Sequence, residues 1–357
     1  MKDTLSILKI LLLLLLVGSC TSDVLTDVQS GKGQYAIGFD NGMVDNNVRT
    51  RATTTPLSLY HPTMGVWGWE IAANKKENPL FHNQQVNYVG EETDYHNWTY
   101  SPLKYWNNDC NYRFYAYAPY DSTLVSIVDS TGAFRIRDIV LTGVNLQDSA
   151  TTTLCDCFSG TKDTDWMVAR NGEFLPGTNR DKVNFTMQHI LAKFVAAVRV
   201  DDSLAESKDV TKVTVNSLTI DDFASKGSFE QKYTYNPDTT NIYEADEWTL
   251  DETAARYTLA MSQPAQVLPD QTMYLMESLL LPQTVEEEAT ITLNYSYTYS
   301  DGRTERFLYT TPLTKAFLQF SSCCCYTITF VINPECIVFD AGVNDWQDVS
   351  GGEKSIE

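Results

Sequence analysis

The chain has 357 residues, of which 43% are hydrophobic, and a net charge of −20. That length suffices for two ordinary domains with cores of their own. A surface this acidic excludes nucleic acid and anionic membrane as charge-driven partners, and it keeps an exported chain soluble.

In chain order, Lys2 and Lys9 precede an apolar run at residues 10–17, followed by Gly18, Ser19 and Cys20. This is the charged, apolar and small-residue order of a secretory signal, and the run is too short to cross a bilayer. Val17-Gly18-Ser19-Cys20 resembles a bacterial lipobox, in which Cys20 is lipidated and becomes the first mature residue. The plainer reading is a signal peptide whose cleavage site happens to precede a cysteine. More than one acyl chain on Cys20 would give stable anchoring, at about 0.8 kcal/mol per buried CH₂. Thr21-Ser22-Asp23 then gives a polar, acidic start, which resembles the surface-display signal of Bacteroidota lipoproteins. Residues 29–33 read as a polar tether. Tyr35-Ala36-Ile37-Gly38-Phe39 alternates as a half-buried strand does. Val48-Arg49-Thr50-Arg51-Ala52 lies in a polar stretch, where flexible backbone is open to an arginine-specific protease. Two solvated loop arginines are the bland alternative.

Gly65-Val66-Trp67-Gly68-Trp69 reads as a strand with aromatics on one side and small residues between them. The densest aromatic block runs from Trp98 to Trp106 and from Tyr112 to Tyr120. In its second half Tyr112, Phe114, Ala116 and Ala118 share one face, and Arg113, Tyr115 and Tyr117 the other, which predicts a strand pair rather than a helix. Trp98 and Trp106 could stack a carbohydrate, although aromatics on alternating strands more often form core. Shorter strands are predicted at 124–128, 134–139 and 165–169. Residues 170–181, with Gly172, Pro176 and Gly177, are punctuated like a linker and set the expected domain boundary.

From Val183 apolar residues fall on odd positions as far as Met187, and mostly on even ones from Ile190, which predicts a bend near His189. A second phase flip occurs at Asn216-Ser217. Residues 291–299 alternate cleanly, and Asp301-Gly302 marks a hairpin turn. Strands at 326–332 and 336–339 finish the sheet, with Trp346 in the tail. Weak helical signal throughout, and short strands separated by Gly, Pro, Asn and Asp, predict two β-sandwiches.

Catalytic chemistry has little footing. No nucleophile elbow, phosphate loop, dinucleotide fingerprint or metal quartet occurs. Glu286-Glu287-Glu288 and Asp221-Asp222 are sequence neighbours, whereas paired acids must face each other across a substrate. His189 near Lys193 suggests a base, but a lone histidine in an apolar strand is more often a hydrogen-bonded core residue. The other histidines, His61, His82 and His96, have no companion at metal-ligand spacing. Beyond Cys20 there remain Cys110, Cys155, Cys157, Cys323, Cys324, Cys325 and Cys336, an odd set that reads as buried thiols rather than as a closed disulfide framework.

Several pieces occur in a suggestive order: the lipobox at Cys20, the Ile37-Gly38-Phe39 strand with Arg51-Ala52 behind it, the two aromatic stretches, Asp165 to Ala169, His189-Ile190-Leu191-Ala192-Lys193, and the Ile337 to Trp346 ending. Together they resemble the fimbrillin (Mfa-like) family of Bacteroidota surface fimbriae. The resemblance implies an all-β subunit with two transthyretin-like β-sandwich domains in tandem, at 52–178 and 179–357. Before them stand a signal peptide at 1–19 and a lipidated arm at 20–51 that holds the first strand.

The resemblance further implies cleavage after Arg51, with Arg49 as second choice and Ala52 as the new terminus. The removed strand would carry Tyr35, Ile37 and Phe39. The donor or final strand would carry Ile337, Phe339, Val343 and Trp346. The implied partners are other fimbrial subunits, self or paralogous, joined by β-strand exchange, the outer membrane through the lipid before processing, and a ligand on a host or partner cell. The implied location is the fimbrium at the outer-membrane surface, with no cofactor, no metal and no enzymatic activity. Losing the signal moves the net charge from −20 to −21, and the cut returns it to −20, so an exposed groove rather than charge would be the switch. The rival reading is a monomeric surface lipoprotein that binds glycans through Trp67, Trp69, Trp98 or Trp106.

Overall fold

The computed structural model describes residues 35–45, 54–57, 60–92, 95–128, 133–144, 149–152, 163–169, 175–179, 181–234, 242–334 and 337–346. The chain begins with β1 (Phe39–Asp45) and β2 (Thr54–Pro56), then β3 (Thr63–Ala72), β4 (Glu77–Glu92), β5 (Tyr95–Thr99) and β6 (Cys110–Ala118). Next come β7 (Val125–Val128), β8 (Ala133–Val140), β9 (Met167–Ala169), β10 (Leu175–Pro176) and β11 (Val183–His189). A one-turn helix, α1 (Asp202–Ala205), separates β12 (Ala192–Val200) from β13 (Val210–Phe223), and β14 (Lys226–Thr234) and β15 (Ile242–Leu250) follow. Short strands β16 (Tyr257–Ala260) and β17 (Ala265–Val267) lead to β18 (Met273–Leu280) and β19 (Gln283–Thr284). The chain closes with β20 (Thr290–Tyr299), β21 (Thr304–Pro312), β22 (Gln319–Phe320), β23 (Cys324–Ile332) and β24 (Ile337–Asp345). The fold is all-β, as alternating patterns broken by turn residues dictate.

The first sheet closes on itself. Its strands run β6-β3-β4-β5-β1-β11-β9, and β9 pairs back onto β6, while β10 attaches to β6 and β2 to β1. Among its described pairings, β1 with β11 is the single parallel one. The inward faces of this ring make one core, in which Phe39, Phe81, Trp98, Phe114 and Phe185 are buried. The outward face carries Trp67, Tyr115 and Tyr117 against a sheet ordered β15-β14-β8-β7. Gly65 makes this face possible: a Cβ there would lie 2.2 Å from the Tyr117 ring.

A second core lies between the sheets β18-β12-β23-β24 and β16-β13-β20-β21. β12 is buried on both faces along most of its length, which explains its apolar run at 194–198. The phase flip near His189 is where the chain leaves the first sheet as β11 and enters another as β12. The flip at Asn216-Ser217 is a register shift of β13 against β20. Gly302 takes a left-handed φ of 83° in the turn between β20 and β21.

Two pairings differ from the sequence expectation. β5 and β6 are strands, but β3 and β4 lie between them in the sheet, so the aromatic block is not a hairpin. Strands on either side of the linker at 170–181 also pair with one another, β1 with β11 and β8 with β14. Local patterning sets which residues face inward but does not choose the strand's neighbour.

Candidate functional site

The arm enters the first sheet before β1 begins. Tyr35 O accepts from Trp106 N, Ile37 N donates to Lys104 O at 2.8 Å, and Ala36 bridges Tyr105. The Tyr100 hydroxyl donates to Ile37 O at 2.7 Å, and burial pushes its pKa up to about 12, so it remains a donor. Past Gly38, whose carbonyl accepts from Val183 N, β1 pairs with β11 from Phe39↔Val183 to Val44↔Met187. Its other edge meets Trp98 of β5 and the whole of β2.

Of the residues expected on a removable strand, Tyr35 is exposed, whereas Ile37 and Phe39 are buried. Phe39 is 1% exposed and touches four rings: Phe81 and Tyr100 at 5.4 Å, Phe185 at 5.7 Å and Phe114 at 6.1 Å. The segment is thus inlaid in a closed sheet, anchored by one aromatic plug. Cys20, Arg49, Arg51 and Ala52 lie outside the described residues.

At the other end of the chain, β24 is an edge strand. It pairs antiparallel with β23 from Ile337↔Ile332 to Asp345↔Cys324, and its outer edge has no described partner strand. Ile337, Phe339 and Val343 share a face by the period of two. Ile337 and Phe339 are half-buried against the second core, and Val343 is 54% exposed. Trp346, just beyond the strand, is fully buried.

Sequence reasoning missed what buries Trp346. Its ring stacks on His189 with centroids 4.0 Å apart and planes within 2°. His189 Nδ1 donates to the Asp165 carboxylate at 3.0 and 3.1 Å, and His61 Nε2 donates to Asp165 O at 2.7 Å. Tyr60 meets the His189 ring edge-on at 5.5 Å. Burial holds the pKa of His61 below its ordinary value, against the pull of Asp165. The sequence signal for this node was the lone histidine at a phase flip; its partners lie too far away in sequence to be read.

The imagined catalytic groups are structural. Lys193 pairs with Glu277 of β18, both buried, while the imidazole of His189 is held by Asp165. Asp221 accepts from Thr258 and Thr290 at 2.8 and 3.1 Å, and Asp222 pairs with Arg256, so these acids pin strands rather than face a substrate. Among the described residues no cluster of His, Cys, Asp and Glu could hold a metal ion. Cys110, Cys323, Cys324 and Cys325 form no disulfide among the described residues, and burial pushes the Cys325 thiol up. Cys155, Cys157 and Cys336 lie outside the described residues. The glycan platform is not assembled. Trp67, Trp98 and Trp106 are buried, and the Arg113 guanidinium sits 5.3 Å over the ring of half-buried Trp69.

No curated protein sequence matches the chain. Among solved structures, a fimbrial protein from Bacteroides vulgatus is similar at 16% identity, over 87% of this chain and 99% of that one, with a TM-score of 0.55. A Bacteroides uniformis protein named for cell adhesion is 16% identical, over 89% of this chain and 100% of its own, with a TM-score of 0.47. Likeness at these identities concerns the fold, and the first of the two carries it. A family model described as fimbrillin-like matches residues 50–346, from between the two arginines to Trp346. By that match the chain belongs to the fimbrillin-like (Mfa-like) family, as a structural fimbrial or adhesion protein and not an enzyme.

Proposed function

We propose that this chain is a subunit of a surface fimbria, shaft or tip, polymerised by exchange of β-strands. It is exported as a lipoprotein through Cys20 and held at the outer membrane. Cleavage after Arg51, or failing that Arg49, removes the arm with Ile37 and Phe39. Its folded body comprises two transthyretin-like sandwich domains, at 52–178 and 179–357, with β11 of the second segment completing the sheet of the first. The vacated place then accepts a strand from a neighbouring subunit, and the fibre supports adhesion to a host or partner cell.

One observation carries the reading: a short segment that ends ahead of the two arginines is built into a closed sheet as one of its strands. Removing it leaves the N–H and C=O groups of β11 and β5 without ladder partners and exposes the Phe39 socket. An incoming strand repairs both, by main-chain hydrogen bonds and alternate side chains. The family match beginning at residue 50 leaves β1 outside it, in keeping with a replaceable strand. β24, apolar on alternate positions and with no described partner strand on its outer edge, supplies the donor chemistry.

The test is amino-terminal sequencing of protein sheared from its native cells, run with a non-reducing gel before and after boiling. A terminus at Ala52 and a high-mass ladder that collapses only on boiling are expected. A lipidated Cys20 terminus on a monomer would overturn the shaft reading. The glycan-binding alternative has lost three of its four tryptophans to the core.

A further inference from the structure

Two routes run from β1 to the ring of His189. The first goes through β11, which lies in parallel register beside β1 and ends at His189. The second goes through β2, whose only described pairing is with β1. Just after β2, Leu57 O accepts from both Tyr60 N and His61 N, at 2.9 and 2.8 Å. Tyr60 packs edge-on against His189, and His61 holds the Asp165 main chain whose carboxylate orients the same imidazole. His189 is therefore braced from two sides by elements that β1 supports. Its flat face is covered by Trp346, whose backbone N–H donates to Cys323 O at 3.2 Å. Trp346 terminates β24, where Asp345 pairs with Cys324 at the end of the ladder.

Resting on the strand-exchange reading above, we infer that the Trp346–His189 stack is an autoinhibitory latch, which holds β24 against its own subunit while β1 is in place and releases it when β1 is removed. With β1 gone, β11 becomes an edge held only by β9, which pairs with it as far as His189, and β2 loses its described pairing, so the imidazole keeps the β9 side of its support and loses the rest. Trp346 then docks against a platform that is less firmly held, with Asp165 and β9 as its remaining supports. The stack requires near-parallel rings, and an aromatic pair contributes only in its favoured geometries. β24 keeps its ladder to β23 but loses the buried anchor at its end. An edge strand held on one side alone opens locally far more readily than a core strand. The donor is thereby exposed only on subunits whose own acceptor place is already vacant, so unprocessed precursors stay monomeric in the envelope.

A coupling of this kind is reciprocal: if β1 stabilises the docking of Trp346, the docking of Trp346 stabilises β1 to the same extent. The test uses amide hydrogen exchange on the uncut, full-length precursor, where no polymer forms. Trp346→Ala is expected to speed exchange in β24 and, over the same range, in β1 and β11, by roughly 5- to 150-fold. Trp346→Phe, which keeps a stacking ring, should restore most of the protection. Val343→Ala, on the same strand but away from the stack, should leave β1 unchanged. Trp346→Ala exchange that rises in β24 with none in β1 or β11 would overturn the latch. Should that variant not fold, the wild-type protein before and after cleavage, diluted to monomer, gives the same decision: β24 must lose protection on cleavage. Either result is independent of whether polymer later forms, so failure of the latch is distinguishable from failure of strand exchange.

Discussion

Replacing Phe39 with alanine removes ring contacts to Phe81, Tyr100, Phe114 and Phe185 at once, from a position that has no solvent to retreat to. Losses of this kind cost about 3–5 kcal/mol, because the surrounding rings close the cavity only in part. Urea denaturation of the uncut Phe39→Ala precursor is expected to show that deficit, and a deficit below 1 kcal/mol would mean that the arm is not integral to the sheet.

His61 gives a second prediction at this scale. Burial lowers its pKa from 6.5, so the unfolded chain takes up a proton more readily than the folded one. Its contribution to stability is full above about pH 6.5 and is lost as pH falls through the lowered folded value. Melting temperatures between pH 7.5 and 5 should therefore fall with acidification, and His61→Gln should flatten that slope. An unchanged slope would assign the acid sensitivity to other groups.

Edge and ring strands differ in what a substitution reaches. Val343 is largely exposed on β24, so Val343→Asp should move the stability of the monomer by no more than about 0.5 kcal/mol. If β24 is the donor, the same change puts a carboxylate into an apolar acceptor groove, and the heat-stable ladder should disappear. A ladder of normal height would exclude β24 from the exchange.

Elements are also where the limits of sequence reading are plainest. The inward residues of β6 and β11, the bend at His189 and the shift at Asn216-Ser217 all follow from alternation within one strand, and alternation is a local property. Which strand lies beside which is not. β5 and β6 sit next to each other in the chain and apart in the sheet, whereas β8 finds β14 across the linker. The arm's alternation revealed a half-buried strand but not its closure of a ring. The Trp346 node stayed hidden because its members come from Tyr60, His61, Asp165, His189 and the tail, each unremarkable where it stands.

For the whole molecule, the closed first sheet makes the arm a structural part rather than an appendage. A chain that starts at Ala52 should be less stable than the precursor by more than the deficit of Phe39→Ala alone, since it also loses Ile37 and the ladder of β1. A synthetic peptide of residues 35–45, supplied in trans, should recover the stability in a saturable way. Equal stability with and without the arm would remove the physical basis of strand replacement.

The parallel pairing of β1 with β11 bears on fibre architecture. Under the proposed strand exchange, a replacement that reproduces the pairing of β1 runs parallel to β11 and antiparallel to β5. Donor and acceptor are then different surfaces of the subunit, joined with a fixed sense. Contacts of that kind do not pair off into closed dimers; they propagate. Every subunit along such a fibre points the same way, so its two ends are chemically unlike: one presents an unfilled socket and the other an undelivered strand. If subunits join by such a contact, growth, capping and anchoring belong to different ends of the fibre.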